Sequence, residues 1–429
     1  MTEYTGKKGD IEWFIESRFG MFIHWGLYAL GARHEWVRNY ERMTEEEYRK
    51  YFEHFNPDLF DPTEWAKMAK RAGMKYFVVT TKHHEGFCLW DSAYTGYKAS
   101  RAPWGKDLLT PIVRAFRDEG LRVGFYYSLI DWHHPEFPVD RQHPQRDEVA
   151  FREATKGRDI KKYAQYVRDQ VTELLTGFGQ IDIIWFDFSY PGPDGKGHED
   201  WESEKLVELV RSLQPDILIN NRLDYPGSAD FVTPEQSQPH SAPTDQRGVR
   251  MPWEVCHTFS GSWGYHRDET GWKDPEMLVK LLVDAVSKNG NMLLNVGPTG
   301  RGEFDPRART RLEAVGEWMK YHDRAIYGCG AAPESLTPPP DCRYTFHEKT
   351  DRLYLHIFSW PFKLVHLAGL VGEVEYAQFL HDSSEIKFRD ATTNINILTS
   401  QRTPEGHVTL ELPAVKPDVV VPVVEIFLK

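Results

Sequence analysis

No run of about 18 apolar residues occurs anywhere in this chain, so no membrane-spanning helix is expected. Cysteine is scarce. Cys88, Cys256, Cys329 and Cys342 are the only four in 429 residues, none pairs at a short metal-type spacing, and a disulfide framework is excluded for a chain of this length. No Gly-rich phosphate loop follows an apolar run, which argues against a nucleotide-binding doubly wound sheet. No His-x-His or His-Glu-x-x-His spacing is present. Basic residues form no stripe: the net charge is −12 with both signs interspersed, so no nucleic-acid surface is expected. Residues Met1 to Ile11 are polar and charged, without the apolar core of a secretory signal, and a cytoplasmic location with reduced thiols is the expectation. There are no internal repeats and no low-complexity tracts. Nothing in the sequence decides between a monomer and a homo-oligomer.

What the chain does have is aromatic residues, 14% of the total. They suit sugar rings and large apolar ligands, and equally fill cores. The length exceeds the roughly 250–300 residues of a single core, which predicts a large domain and a smaller one. Strand-like runs fall at Phe19–Trp25, Lys75–Lys82, Arg122–Ser128, Asp182–Asp187, Asp216–Arg222, Asp230–Glu235, Trp253–Phe259 and Asn291–Val296. Several are separated by helices with apolar residues at i, i+3, i+4, i+7: Trp65, Met68, Ala69 and Ala72 in one, Leu108, Leu109, Ile112, Val113 and Phe116 in another, Met277, Leu278, Leu281, Leu282 and Val286 in a third. Strands alternating with helices imply a parallel sheet, and eight such strands suggest a (β/α)8 barrel. Too few residues separate Arg222 from Asp230 for a crossover helix, and 236–251 reads as loop. The expected fold is therefore a distorted barrel lacking helices around strands five to seven, with an open doubly wound sheet as the runner-up. After Cys329-Gly330-Ala331-Ala332-Pro333 and Pro338-Pro339-Pro340 the period changes to two. Arg352–Phe358, Glu373–Leu380, Ile395–Thr399, His407–Leu412 and Val419–Leu428 read as strands of an antiparallel β-sandwich. The expected domains are 1–330 and 331–429.

Barrel enzymes work from the C-terminal ends of their strands, and that is where ionisable and aromatic residues collect here. His24-Trp25 follows the first run, Lys82-His83-His84-Glu85 the second, Tyr126-Tyr127 and Asp131 the third. Asp187 closes the fourth, the apolar Ile183-Ile184-Trp185-Phe186. Arg222 and Glu235 close the fifth and sixth, and Glu254 and Trp263 belong to the seventh. Each has a plain structural reading: Asp187 as a turn cap, Lys82 paired with Glu85, the tryptophans as core. His83 and His84 can both reach a cleft only if they lie beyond the strand end, because successive strand side chains alternate. Two carboxylates within a ring of His, Arg, Tyr and Trp suit glycoside hydrolysis, in which a nucleophile and an acid/base flank the bond and aromatics pack on the sugar. A divalent metal centre of His83, His84, Glu85 and Asp187, as in a barrel isomerase or amidohydrolase, ranks second, since the usual ligand spacings are missing.

At these residues the chain resembles the α-L-fucosidases of glycoside hydrolase family 29. The resemblance is carried in order by Phe19-Gly20-Met21-Phe22-Ile23-His24-Trp25-Gly26, Glu35-Trp36, Lys82-His83-His84-Glu85-Gly86-Phe87, Gly124-Phe125-Tyr126-Tyr127-Ser128, Trp185-Phe186-Asp187, Asn221-Arg222, Trp253-Glu254, Ser262-Trp263-Gly264-Tyr265 and the segment from Gly290 to Pro298. It implies a barrel followed by a β-sandwich, hydrolysis of terminal α-L-fucosyl residues with retention, and no cofactor. It places the nucleophile at Asp187 and fucose contacts at His24, Glu35, Trp36, His83, His84, Tyr126, Trp185 and Arg222. Trp263 stands where the family sets an aromatic against the sugar's C6 methyl. The acid/base is expected at Glu235, thirteen residues after Arg222, with Glu254 as second choice. A fucose-binding protein without catalysis is the remaining alternative. Where many members have glycine after the nucleophile, this chain has Phe188, which puts the leaving-group preference in question.

Overall fold

The computed structural model describes residues 4–245, 247–390 and 405–429. Seven strands form one parallel sheet: β1 (Phe19–Ile23), β2 (Tyr76–Lys82), β3 (Arg122–Ser128), β4 (Ile183–Asp187), β5 (Leu218–Ile219), β6 (Trp253–Thr258) and β7 (Gly290–Val296). Their order, β5-β4-β3-β2-β1-β7-β6, is the chain order closed on itself with one place open between β5 and β6. Residues 230–235 occupy that place. The Asp230 amide donates to the Ile219 carbonyl at 2.8 Å on one side, and the Glu254 and Cys256 amides donate to Val232 and Pro234 at 2.9 and 3.1 Å on the other. Parallel bridges pair Asn220 with Phe231, Val232 with Trp253 and Glu235 with Cys256. Eight positions thus close the barrel.

The fifth and sixth runs are less regular than the sequence predicts, and side chains are the reason. The Asn220 carboxamide accepts from the Phe186 amide at 3.0 Å and donates to the Phe186 carbonyl at 2.9 Å, taking the ladder position of a peptide group and ending β5 at Ile219. Asp230 Oδ2 accepts from the Ile219 amide at 2.7 Å, and Asn221 Oδ1 from the Thr233 amide at 3.1 Å. Pro234 has no N–H for a ladder. Side-chain polar groups have here taken over several positions of main-chain pairing.

Long helices cover the outside: Pro62–Arg71, Leu109–Asp118, Ile160–Gly177, Ser203–Leu213, Pro275–Val286 and Pro306–His322. Three open on Asp-Pro, with Asp61, Asp274 and Asp305 accepting from the first-turn amides and proline at the first helical position, where its missing N–H costs nothing. Among the described residues no helix separates β5 from the 230–235 segment or that segment from β6, as the short connections require. In the helix Pro275–Val286, Leu278, Leu282 and Val286 are buried, but Met277 faces solvent.

Alternation along the strands sorts side chains between two cores. Ile184, Phe186, Phe125 and Tyr127 face the helices. Phe22, Tyr76, Tyr126, Ile183, Trp185 and Leu293 fill the barrel, closed at its N-terminal end by Phe14, whose ring lies 4.8 Å from Phe231 and 5.6 Å from Tyr76.

Beyond the barrel, β8 (Cys342–His347), β9 (Arg352–Ile357), β10 (Leu364–Ala368), β11 (Val374–Phe379), β12 (Lys387–Asp390), β13 (His407–Glu411) and β14 (Val423–Leu428) make two antiparallel sheets, β10-β13-β12 and β11-β14-β9-β8. They enclose Leu353, Leu355, Leu367, Val408, Leu410 and Ile426, the expected sandwich. The sequence reading lacked β8, β10 and β12, which are short or carry His, Lys, Arg and Asp. The expected strand Ile395–Thr399 lies outside the described residues. The sandwich packs on the barrel through the Trp318 indole, which donates to the Val421 carbonyl at 2.9 Å, and Arg343, which pairs with Asp284 at 2.7 Å.

Candidate active site

A polar-walled cavity opens at the C-terminal end of the barrel. Its floor is buried: Phe22, His24, His83, His84, Tyr126, Trp185 and Cys256. Trp36, Phe188, Arg222, Glu235 and Trp263 stand at its rim. Every residue expected to touch the sugar is here except Glu35. So are Asp187 and Glu235.

Asp187 projects inward because it is two residues after Trp185 on β4. Its Oδ2 accepts from the Tyr126 hydroxyl at 2.8 Å and its Oδ1 from Arg222 Nη1 at 2.8 Å. The other terminal nitrogen of the same guanidinium donates to Glu235 Oε2 at 2.7 Å. One cation therefore bridges the two carboxylates. Arg222 is itself held by Thr233, whose hydroxyl accepts from Nε at 3.0 Å, and lies 4.5 Å over the Trp185 ring. Burial opposes its charge, but Asp187 and Glu235 more than offset this and hold its pKa above the usual guanidinium value. Burial, and then the charge of Asp187, push the Tyr126 phenol well above its ordinary range, so it stays a donor. Asp187 is nearly buried, whereas the Glu235 side chain is 41% exposed. A buried carboxylate held by two donors beside a solvent-exposed one is the asymmetry that suits a nucleophile and a proton shuttle.

The histidines are set by their second nitrogens. His24 Nδ1 lies 2.6 Å from Asn295 Oδ1, and Asn295 Nδ2 donates to the Trp263 carbonyl at 2.6 Å, so Nδ1 carries the proton and Nε2 is left as an acceptor. His84 Nδ1 lies 2.8 Å from Ser128 Oγ, whose own proton goes to the Ile130 carbonyl at 2.8 Å; the same tautomer follows. Burial, and then the neighbouring His83, keep both rings well below the usual imidazole pKa. His83 and His84 do lie past the end of β2, with ring centroids 3.9 Å apart. The β2–β3 register shifts between Thr80 and Lys82, turning Lys82 out of the barrel. It does not pair with Glu85: its ammonium meets Asp131 at 3.2 Å, over the Tyr127 ring. Glu85 Oε2 instead sits 3.4 Å from His83 Nδ1.

Glu35 lies behind the wall. Its Oε2 accepts from the Trp263 and Gly264 amides at 3.0 and 2.9 Å, fixing the loop that presents Trp263. Glu254 is inside the barrel beneath the cavity, fully buried, accepting from the Tyr76 hydroxyl, with the Trp185 indole beside it. Burial raises its pKa to about 8 against the smaller opposing effects of Tyr76 and Trp185. It does not bond Arg222 and does not line the cavity, so it cannot reach a leaving oxygen. The native state binds this proton more tightly than the unfolded chain does, so the stability it supplies is complete below about pH 4.5 and is lost as pH rises towards about 8. Glu254→Gln is expected to reduce the fall in unfolding free energy between pH 5 and pH 8.5 by on the order of a few kcal/mol. Urea titrations at the two pH values measure it, and parallel losses in both proteins would refute it.

The supposed metal ligands do not converge. His84 turns its Nδ1 to Ser128 and Glu85 lies behind His83, so neither joins Asp187 around a common point. Among the described residues no group of three His, Cys, Asp or Glu side chains is arranged to hold a metal. Asn295, Ser128 and Thr233 were not singled out from the sequence. A signal existed for the first two, each a polar residue near the end of an apolar strand; in register, Ser128 stands beside Asp187.

The family model for "Alpha-L-fucosidase" matches residues 2–324. The tissue α-L-fucosidase of Mus musculus is 30% identical over 73% of this chain and 71% of its own. The solved α-L-fucosidase isoenzyme 1 from Paenibacillus thiaminolyticus is 46% identical, covers 98% of both chains and superimposes with a TM-score of 0.90. An α-L-fucosidase from Bacteroides thetaiotaomicron, 28% identical over 100% of this chain and 98% of its own with a TM-score of 0.83, was solved as a trapped covalent intermediate with 2-fluoro-fucosyl fluoride in a Glu-to-Gln mutant. With a whole-barrel match and a close relative in both sequence and structure, this chain belongs to the α-L-fucosidase family.

Proposed function

We propose that this protein is an exo-acting, retaining α-L-fucosidase that removes terminal α-L-fucosyl residues from oligosaccharides or glycoconjugates, with Asp187 as nucleophile and Glu235 as acid/base. The observation that carries the assignment is the single guanidinium of Arg222 joined to both carboxylates at the mouth of a blind cavity. A blind floor admits one terminal sugar. The acceptor nitrogens of His24 and His84 take its hydroxyl protons, and Trp263 and Phe22 offer aromatic faces to an apolar C6 methyl.

Asp187 Oδ attacks the anomeric carbon as the glycosidic C–O bond breaks, and the protonated Glu235 gives its proton to the departing oxygen. The result is a fucosyl–Asp187 ester of inverted configuration. Glu235, now anionic, takes a proton from water as the water oxygen attacks the same carbon, and Asp187 leaves. Tyr126 and Arg222 stabilise the Asp187 carboxylate as it departs. Retaining enzymes separate such carboxyls by roughly 5–5.5 Å, and sharing one guanidinium supports that proximity.

Proton NMR of p-nitrophenyl α-L-fucoside hydrolysis is expected to show α-L-fucose first, with the β anomer appearing only by mutarotation. β-Fucose first would overturn retention, and binding without release would leave a fucose-binding protein. Dialysis against EDTA is expected to leave kcat/KM within about twofold, because no step draws on a metal; a large loss restored by a divalent cation would revive the metal reading.

A further inference from the structure

Phe188 follows the nucleophile with φ of +75°, a backbone conformation that glycine adopts freely and a side chain with a Cβ rarely does. A strained phenylalanine beside the reacting carboxylate is held there by its surroundings. Its ring lies 5.1 Å from Trp36, 4.7 Å from His84 and 5.4 Å from Tyr190. Tyr190 is pinned in turn: its hydroxyl donates to the buried Asp140, which also receives the ammonium of the buried Lys196. Arg141 donates to the Tyr190 carbonyl at 3.0 Å and the Pro191 carbonyl at 3.1 Å, clasping the loop from outside.

One sugar fills the cavity between its buried floor and the rim residues Trp36, Arg222 and Trp263, so whatever is bonded to that sugar emerges past the rim, where Phe188 stands half-buried beside Trp36. These rings present an apolar face without a hydrogen-bond donor at Phe188. A hexopyranose carries a matching face of axial C–H groups. We propose that Phe188, packed on the fucose contact Trp36, forms a leaving-group subsite that stacks on the pyranose ring to which fucose is attached, and that Phe188 thereby sets the preference for glycosyl over small leaving groups. The proposal rests on the fucosidase reading. Binding energy gained at this ring is used in the transition state of the first step, so it enters kcat/KM for disaccharides and not for a substrate whose leaving group is a single atom.

The test compares α-L-fucosyl fluoride, which carries no sugar beyond the fucose, with a panel of α-1,2-, α-1,3-, α-1,4- and α-1,6-linked fucosyl disaccharides. Phe188→Gly relieves the backbone strain and is expected to fold. For the linkage that the wild type cleaves best, the ratio of kcat/KM on disaccharide to that on fluoride is expected to fall about tenfold in this variant. Phe188→Leu, of similar bulk without a ring, should lower the ratio as well, and Phe188→Tyr should keep it within about twofold. A ratio unchanged in Phe188→Gly overturns the subsite, as does a ratio preserved by leucine. A wild type that cleaves the fluoride but no disaccharide overturns it too, whereas a wild type inactive on both overturns the fucosidase reading itself.

Discussion

Asp187→Ala is expected to lower kcat on an aryl α-L-fucoside by on the order of 10⁴–10⁶-fold, the scale on which loss of a covalent nucleophile is felt. The residue makes no contribution to the fold that would explain such a loss. Its two oxygens bond only Tyr126 and Arg222, and both partners keep other contacts: Arg222 retains Glu235 and Thr233, and Tyr126 stays packed on Trp185. Sodium azide should enter the space left by the carboxylate and attack the same face of the anomeric carbon. The product is β-L-fucosyl azide, formed in one displacement, identified by NMR with turnover restored in proportion to azide. Near-normal activity in Asp187→Ala without azide would remove the nucleophile assignment. An inactive variant that azide fails to rescue, with binding of fucose intact, would place the attacking group elsewhere.

Glu235→Ala is expected to separate substrates by their need for a proton. Turnover of a fucoside with a poor, sugar-like leaving group should fall by about 10²–10⁴-fold, while formation of the intermediate from fucosyl fluoride should fall far less. The second step then lacks its base, the fucosyl–Asp187 ester accumulates as a burst, and azide needs no base to attack it. The product is now α-L-fucosyl azide, because two displacements have occurred. Opposite azide anomers from the two variants assign the two roles without reference to absolute rates. Equal losses on both substrates would mean that Glu235 serves only to hold Arg222. They would not promote Glu254, which is sealed under Trp185 with Tyr76.

Most of this site was legible in the chain because barrel geometry converts position into location. An apolar run ending in a charge delivers that charge to the strand's C-terminal mouth, and Asp187 follows Trp185 inward by the two-residue period alone. His83 and His84 were correctly confined to the loop by the same alternation. The acid/base came from resemblance instead. Position alone put Glu235 at the end of the sixth run, but nothing in that position gave it the acid/base role rather than Glu254; side chains of Asn221 and Asp230 also break the regular ladder of that segment. Glu35 and Glu254 were visible as motif residues, but nothing in a motif tells a carboxylate facing the cavity from one accepting two amides behind its wall or one buried in the barrel. The Lys82–Glu85 pairing failed on a register shift of one residue, which sends Lys82 to Asp131 and leaves Glu85 behind His83. In the C-terminal sheets, β10 and β12 are only five and four residues long, and their place is set by pairing with β13, for β10 a contact distant in sequence.

The central claim is that fucose passes through an ester on Asp187. Incubation with 2-deoxy-2-fluoro-α-L-fucosyl fluoride slows both steps, and the fluoride leaving group restores the first, so the ester should persist long enough for peptic digestion and mass spectrometry. One fluorofucosyl adduct per chain is predicted, on the peptide that contains Trp185-Phe186-Asp187, fragmenting to Asp187. An adduct on Glu235, or turnover of the reagent with β-configured product and no adduct, would contradict the account.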